Sequence, residues 1–283
     1  MRALLPILCL ALLSGCSTHP ITGRDQMVGL SSVQVAYADV DYALSSGVQR
    51  FAASLRCAID CGNPESPDRI AARVEAIGVQ LEAAARSLSP ELFERIERFS
   101  IEIDGDPGIR TGSSAGGRIV LSSGLAGQRS PISDVAVAGR SLLESGLGGR
   151  DPTDIRMAFL IAREMGHVIA RHAEENSGVS IAVSVLGLLV PGVNVIARLL
   201  VSKVGVGAVQ NSWAADQERE ADDIALALLS HVGLSVLTVS HALGSGADLA
   251  GISDEAWGSR YLESMQRVAH IAATPLRYSG LGG

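Results

Sequence analysis

Two stretches of this chain signal a helix start in the same way, with a capping side chain, a proline in the first turn and an acid close behind. They are Ser66-Pro67-Asp68 and Asp151-Pro152-Thr153-Asp154. A first-turn proline gives up an N–H that would have no partner there, and the side-chain oxygen before it accepts from the other orphan amides. Behind the first start, Ile70, Val74, Ile77, Leu81 and Leu88 follow at steps of three, four and seven, the spacing of one helix face. Behind the second, Phe159, Met165, His167 and Ile169 carry a helix to about Glu175. Between them, Phe99, Ile101 and Ile103 alternate with Ser100, Glu102 and Asp104, and Arg118 to Ser122 forms a second extended run after glycine-rich turns. The spacing predicts two framing helices with a small sheet between them.

Composition agrees with that frame. Aromatics are 4% of the 283 residues, while 31 glycines and many alanines suit closely approaching helices better than a large sandwich or barrel. A hydrophobic share of 47% supplies a sizeable core and excludes disorder as a description of the whole chain. Thirty acidic residues against 23 basic ones give a net charge of −7, which excludes a general nucleic-acid binder. The fold class expected is α+β, predominantly helical.

The first residues read as an address. Arg2 is followed by the apolar run Ala3 to Leu13 and then by Leu13-Ser14-Gly15-Cys16, too short to span a bilayer as a permanent helix. A buried N-terminal helix with an incidental cysteine is the alternative. The ending resembles the lipobox of bacterial lipoproteins, which implies cleavage after residue 15 and acyl chains on Cys16. With Ser17 next, the resemblance implies a bacterial envelope protein anchored at the outer membrane and facing the periplasm. Cys9 would leave with the signal, so Cys57 and Cys61 remain as a pair in Cys-Ala-Ile-Asp-Cys. In an oxidising periplasm a local disulfide is expected there, with zinc ligation as its rival.

Further along, Val33 to Leu55 has helical apolar recurrence, and Gly127 to Arg150 is read as a surface excursion or flap. Val179 to Val209 is very apolar but broken by Pro191-Gly192 and charged by Arg198 and Lys203. Buried or membrane-facing helices fit those lengths, and a transmembrane hairpin is the competing reading. A helix from Ser212 to Leu229 stops near Gly233, and shorter helices follow at Leu234 to Leu243 and Asp254 to Ala272. The organisation expected is a signal over 1–15, a lipidated segment and helix over 16–65, a principal domain over 66–250, and a C-terminal helix and tail over 251–283.

The stretch from Ala158 to His172 contains Arg163-Glu164-Met165-Gly166-His167. It resembles the active helix of zinc metallopeptidases of the HtpX and CAAX prenyl protease family, where the pattern is H-E-x-x-H. Two histidines four apart lie one helical turn along the same face, so both imidazoles reach one zinc while the glutamate between them activates water. The family's third ligand is a glutamate in E-x-x-A-D, and Glu218-Arg219-Glu220-Ala221-Asp222 matches it. The resemblance implies a zincin-like domain with one zinc ion, Glu164 as general base, His167 and Glu218 as ligands and Asp222 supporting them. It extends to Thr18-His19-Pro20-Ile21-Thr22-Gly23-Arg24-Asp25-Gln26, similar to the opening of lipoprotein members. Ala115-Gly116-Gly117-Arg118-Ile119-Val120 looks like the family's edge strand, on which a substrate peptide adds by main-chain hydrogen bonds. The implied partners are polypeptide substrates or clients, the membrane through the lipid, and outer-membrane assembly proteins.

Position 163 departs from that pattern. Arginine has no lone pair to give a metal and stays protonated. Its charge, at about 4 Å and an effective dielectric of about 20, repels a dication by roughly 8 kcal/mol. A complete structural zinc site supplies roughly 10 to 16 kcal/mol. Two arrangements are open: the guanidinium takes the metal's place, held by Glu218, Glu164 or both, or it swings toward solvent or Asp222 and leaves a weakened metal. Two functions follow, a lipid-anchored metalloendopeptidase acting on misfolded or membrane-associated proteins, or a metal-free, catalytically inactive relative that binds polypeptide like a chaperone. The bland alternatives are a surface charge for Glu164 and a satisfied core residue for His167. His172, about 140° round an ideal helix from His167, is expected to pack or cap, and Glu220 and Asp223 to be solvated helix charges. His231, His241 and His270 have no ligand spacing. The family's usual His-Pro pair near the C-terminus is absent, and Gly127 to Arg150 stands where the family has a short link.

Overall fold

The computed structural model describes residues 16–19, 22–27, 35–40, 42, 67–104, 111–123, 152–177 and 216–244. The expectations for residues 1–15, Cys57 and Cys61, 127–150, 179–209 and 254–272 lie outside the described residues.

Strands β1 (Cys16–Thr18) and β2 (Asp25–Met27) form an antiparallel hairpin with Ser17 opposite Gln26. Residues 35–40 are helical and called α1. The long helix α2 (Pro67–Leu88) starts at the proline that signals it and buries Ile70, Val74, Ile77, Leu81 and Ala85 on one face. A short 3-10 helix, Pro90–Glu94, follows and leads into the sheet.

The sheet has three strands: β3 (Ser100–Asp104), β4 (Thr111–Ser113) and β5 (Arg118–Ser122), in the order β3-β5-β4. Strand β5 pairs parallel with β3 and antiparallel with β4, and is the most buried of the three. This corrects the expectation for Ala115 to Val120. Ala115, Gly116 and Gly117 form the turn into β5, and Arg118, Ile119 and Val120 belong to the central strand, whose two sides are both paired. Apolarity explains it: the run Ile119-Val120-Leu121 is suited to burial, whereas Thr111-Gly112-Ser113 tolerates an edge. Gly117 sits at φ +84, and a Cβ there would meet Ile96 Cδ1 at 2.7 Å and Arg98 O at 3.3 Å, so the turn requires glycine.

Helix α3 (Pro152–Ile169) runs through the middle of the core, with Met157 to Met165 buried at every position. The expected continuation to Glu175 is interrupted. Ala170 N–H still bonds Gly166 O, but Arg171 N–H bonds Val168 O and Arg171 takes φ 59, after which a short helix, α4, spans 172–177. A left-handed arginine costs about 1–2 kcal/mol, so other contacts must hold the break. The last carbonyls of α3 show what they are: Arg95 Nη2 donates to Val168 O at 3.2 Å, the His19 ring nitrogen Nε2 lies 3.3 Å from Ile169 O, and Gln26 Nε2 donates to Ala170 O. Three carbonyls at the helix end thus find side-chain partners from two other segments.

Residues 216–231 form α5, which ends at Gly233 with φ +87. There Leu234 N–H bonds Leu229 O and Gly233 N–H bonds Ser230 O, the reciprocal closure typical of a glycine C-cap. Helix α6 (Val236–Gly244) packs against α3, where the Arg156 Nε–H donates to Ala242 O at 2.6 Å. The described part of the chain is a predominantly helical α+β fold with a small mixed sheet. No helix among the described residues is long and apolar enough to cross a membrane.

Candidate active site

A cleft of about 410 Å³ opens between β4, α3, α4 and the first turn of α5, lined by Thr111, Ser113, Arg163, Glu164, His167 and Glu218 among others. Helices α3 and α5 cross closely at its floor because Gly166 has no side chain: a Cβ there would lie 2.7 Å from Ala221 O. That contact sets the second half of Arg163-Glu164-Met165-Gly166-His167 against the middle of Glu218-Arg219-Glu220-Ala221-Asp222. The sequence-predicted residues Glu164, His167, Glu218 and Asp222 are therefore brought together around Arg163.

Arg163 is buried, and its guanidinium is the cation of that group. Its Nη2 pairs with Glu218, its Nε donates to Asp222 Oδ1 at 3.2 Å, and its Nη1 lies 3.6 Å from Glu164 Oε1. Each of the two arrangements open from the sequence is met in part: the guanidinium lies among the carboxylates and pairs with Glu218, as the first has it, while its Nε turns to Asp222, as the second allows. Glu218 holds it as expected, Glu164 approaches it, and Asp222 is a third partner. Glu164 is in turn fixed to the sheet, accepting hydrogen bonds from Thr111 Oγ1 at 2.6 Å and Ser113 Oγ at 2.8 Å. It is not a surface charge. Thr111 and Ser113 went unread in the sequence, although two hydroxyls at positions i and i+2 of a strand necessarily share a face.

His167 is half-buried, with Nε2 3.8 Å from Glu218 Oε1. Its Nδ1 lies 2.8 Å from His172 Nδ1, and the two rings meet edge to face at 4.9 Å. The expectation that His172 stays away from this site is corrected. It assumed an unbroken helix, and the break at Arg171 swings the ring back toward His167. His172 Nε2 then lies 3.0 Å from Glu220 Oε2. Glu220 also departs from expectation, since it is buried and accepts from Thr22 Oγ1 and Arg24 Nε. Burial raises the Glu220 pKa, but the bonds from His172, Thr22 and Arg24 outweigh burial and hold it at about 2. Burial pushes the His172 pKa below the usual imidazole value despite the opposing pull of Glu220. Arg24 extends the cluster through a two-pronged pair with Glu175, at 3.1 and 2.8 Å.

The donor set can be tested against a zinc ion. Of the three positions where the H-E-x-x-H and E-x-x-A-D patterns place ligands, one is an arginine with no lone pair, and the Glu218 carboxylate is turned onto that arginine. Among the described residues no group of three or more His, Cys, Asp and Glu is arranged to hold a metal. The residues present do not fit zinc with Arg163 in this position. What the arrangement provides is a polar-walled cleft with a strand edge on one side and a caged cation at its base.

No curated protein and no solved structure matches the chain. A family model described as Peptidase family M48 matches residues 110–273, more than half of the sequence and the part that carries β4, β5, α3 and α5. The chain belongs to peptidase family M48, whose members are generally zinc-dependent metallopeptidases.

Proposed function

We propose that this is a metal-free member of the M48 family that binds extended polypeptide in the family's cleft without hydrolysing it. The observation that carries this reading is the position of the Arg163 guanidinium, held between Glu218, Asp222 and Glu164 where the family's zinc would need lone pairs. Strand β4 supplies the binding element. Among the described residues it is an edge strand, and Thr111, Gly112 and Ser113 line the cleft, so an extended chain can add to it by main-chain hydrogen bonds. In this reading the domain is zincin-like and of the HtpX and CAAX prenyl protease type. Its N-terminus is a lipoprotein signal, Cys16 carries the lipid, and the protein stands at the outer membrane facing the periplasm. Its clients are misfolded or membrane-associated polypeptides, presented alone or with outer-membrane assembly proteins.

A second reading is favoured by the convergence of Glu164, His167 and Glu218 on one cleft. There the protein is a metalloendopeptidase, and Arg163 leaves its carboxylates when zinc arrives. One experiment separates the two. The purified chain is incubated with zinc, gel-filtered and assayed for metal by plasma mass spectrometry, then mixed with unfolded casein. Binding of casein with no retained zinc and no cleavage is expected. About one zinc per chain, lost in His167→Ala, together with casein cleavage would overturn the metal-free reading. Arg163→His is expected to gain zinc, because it restores the imidazole and removes the cation.

A further inference from the structure

Main-chain pairing gives a docked segment its affinity, and the side chains it lays into the cleft give selectivity. Strand β4 fixes which side chains those are. Ser114 N–H bonds Arg118 O, so the hydrogen-bonded pairs across β4 and β5 are Ser114 with Arg118 and, two residues back, Gly112 with Val120. The main-chain groups of Thr111 and Ser113 therefore point away from β5, toward the side on which a segment would add. The side chains of the same two residues turn to the floor of the cleft, where their hydroxyls hold Glu164 at 2.6 and 2.8 Å. On the opposite face, a Cβ at Gly112 would lie 3.5 Å from the Tyr42 ring, so Tyr42 covers that side. Residues directly opposite on paired strands share a face. Every second side chain of an added segment, those opposite Thr111 and Ser113, thus projects toward the floor about 5 Å outside β4. The charge there has one sign. One guanidinium, Arg163, faces three carboxylates, Glu164, Glu218 and Asp222, a net formal charge of −2. Behind it Arg24, Arg95 and Arg171 pair with Glu174, Glu175 and Glu220, and none of those three cations lines the cleft. The charge is also layered: the Arg163 side chain is 4% exposed and that of Glu218 is 38%, so the cation lies beneath and a carboxylate stands at the surface. Attraction of a further cation depends on this net charge and not on an oxygen without a partner.

We propose that the cleft selects cationic polypeptide: a segment added to β4 is held best when lysine or arginine stands at alternate positions, with two such side chains reaching over Glu164 and Glu218. The inference rests on the reading of β4 as the polypeptide-binding edge and adds what that edge prefers. The apolar stem of either side chain crosses from the added strand toward the floor while its charge stays at the wetted surface. A neutral segment gains the main-chain bonds alone, and an acidic one meets repulsion from Glu218. Glu218 is the specificity-determining residue, because its side chain is 38% exposed while those of Glu164 and Asp222 are 6% and 0% exposed.

The test titrates the full chain against end-blocked, fluorescently labelled octapeptides in which threonine alternates with lysine, glutamine or glutamate, at physiological ionic strength, with anisotropy as the readout. The lysine peptide is expected to bind about tenfold tighter than the glutamine peptide, from up to about fivefold for each of two side chains at the floor, and the glutamate peptide to bind weakest. Methylating every backbone nitrogen of the lysine peptide keeps its charge and removes its main-chain donors, and should abolish binding. Glu218→Gln should cut the preference for lysine over glutamine roughly two- to fivefold. Glu97→Gln, which makes the same change in net charge at an exposed position outside the cleft, should leave the preference intact. Equal affinity for the lysine and glutamine peptides, lost from both on methylation, overturns the selection and leaves the edge-strand reading standing. Binding of the lysine peptide that survives methylation, or equal losses in the two variants, traces the preference to the overall charge of −7 and overturns the proposal. No binding of any peptide overturns the edge-strand reading and the inference together.

Discussion

Replacing Arg163 by methionine is expected to cost about 3–5 kcal/mol of stability, the range for breaking a buried ion pair and stranding its partner. Methionine keeps most of the side chain's length and apolar stem, so packing changes little and the lost charge accounts for the effect. The three carboxylates do not contribute equally. The Asp222 side chain is 0% exposed and that of Glu164 is 6% exposed, so each would keep a charge in the interior with its main counter-ion gone. The Glu218 side chain is 38% exposed, and water screens its share to about 0–1 kcal/mol. At about 2–4 °C per kcal/mol for a domain of this order, the melting temperature should fall by roughly 6–20 °C. Circular dichroism melts of wild type, Arg163→Met and Glu218→Gln at neutral pH measure this, with the last variant expected to fall by no more than about 4 °C. If Arg163→Met melts within about 2 °C of wild type, the guanidinium is not the buried counter-ion, and the argument that it fills the metal's place fails with it.

Two further outcomes follow from the packing and the buried charges. Gly166→Ala would place a Cβ 2.7 Å from Ala221 O and 3.2 Å from Ala221 Cα, backbone atoms that cannot rotate away. The strain of about 1–3 kcal/mol should exceed the roughly 1 kcal/mol gained in helix propensity, giving a net loss in urea unfolding. Stability should also decline toward acid in two stages. The folded-state pKa values of His19 and His172 are lowered by burial, so the unfolded chain binds protons first and stability drops as pH falls below 6.5. The Glu220 carboxyl is depressed from 4.5 to about 2, so its contribution is present above pH 4.5 and lost between there and about pH 2. Urea midpoints measured from pH 8 to pH 3 should show both stages, and Glu220→Gln should flatten the second.

Much of the frame was legible because it depends on local rules. The prolines at 67 and 152 start helices, Gly233 ends one, and the alternation around Ile101 and Ile103 gives a strand, all from signals a few residues wide. The convergence of Glu164, His167, Glu218 and Asp222 on Arg163 was legible through the family pattern. Three things were not, each for the same physical reason. The order of the strands depends on long-range pairing, which periodicity does not encode, so the likeness of residues 115–120 to an edge strand does not reveal that β5 is central. The helix break at Arg171 has no local glycine or proline to announce it, because it is held by Arg95, His19 and Gln26 from distant segments. With the break unseen, His172 was placed on the wrong side of the helix. Glu220 looked solvated because its donors, Thr22 and Arg24, lie almost two hundred residues earlier in the chain.

The Glu-x-x-Ala-Asp spacing explains why an arginine can live at position 163. Glu218 and Asp222 stand four residues apart on α5, about 6 Å along its axis. A guanidinium carries donors on two edges of one plane, so Nη2 reaches Glu218 while Nε reaches Asp222. A lysine at 163 would bring a compact charge without the planar fork that presents Nε and Nη2 to the two carboxylates. Residue identity alone carries little weight, since every basic residue of this chain except Lys203 is an arginine. The geometry carries it. The resemblance would make two carboxylates one turn apart a ligand and its support; opposite Arg163 they form a two-point cradle. The same five-residue pattern therefore accommodates a caged cation when residue 163 is an arginine.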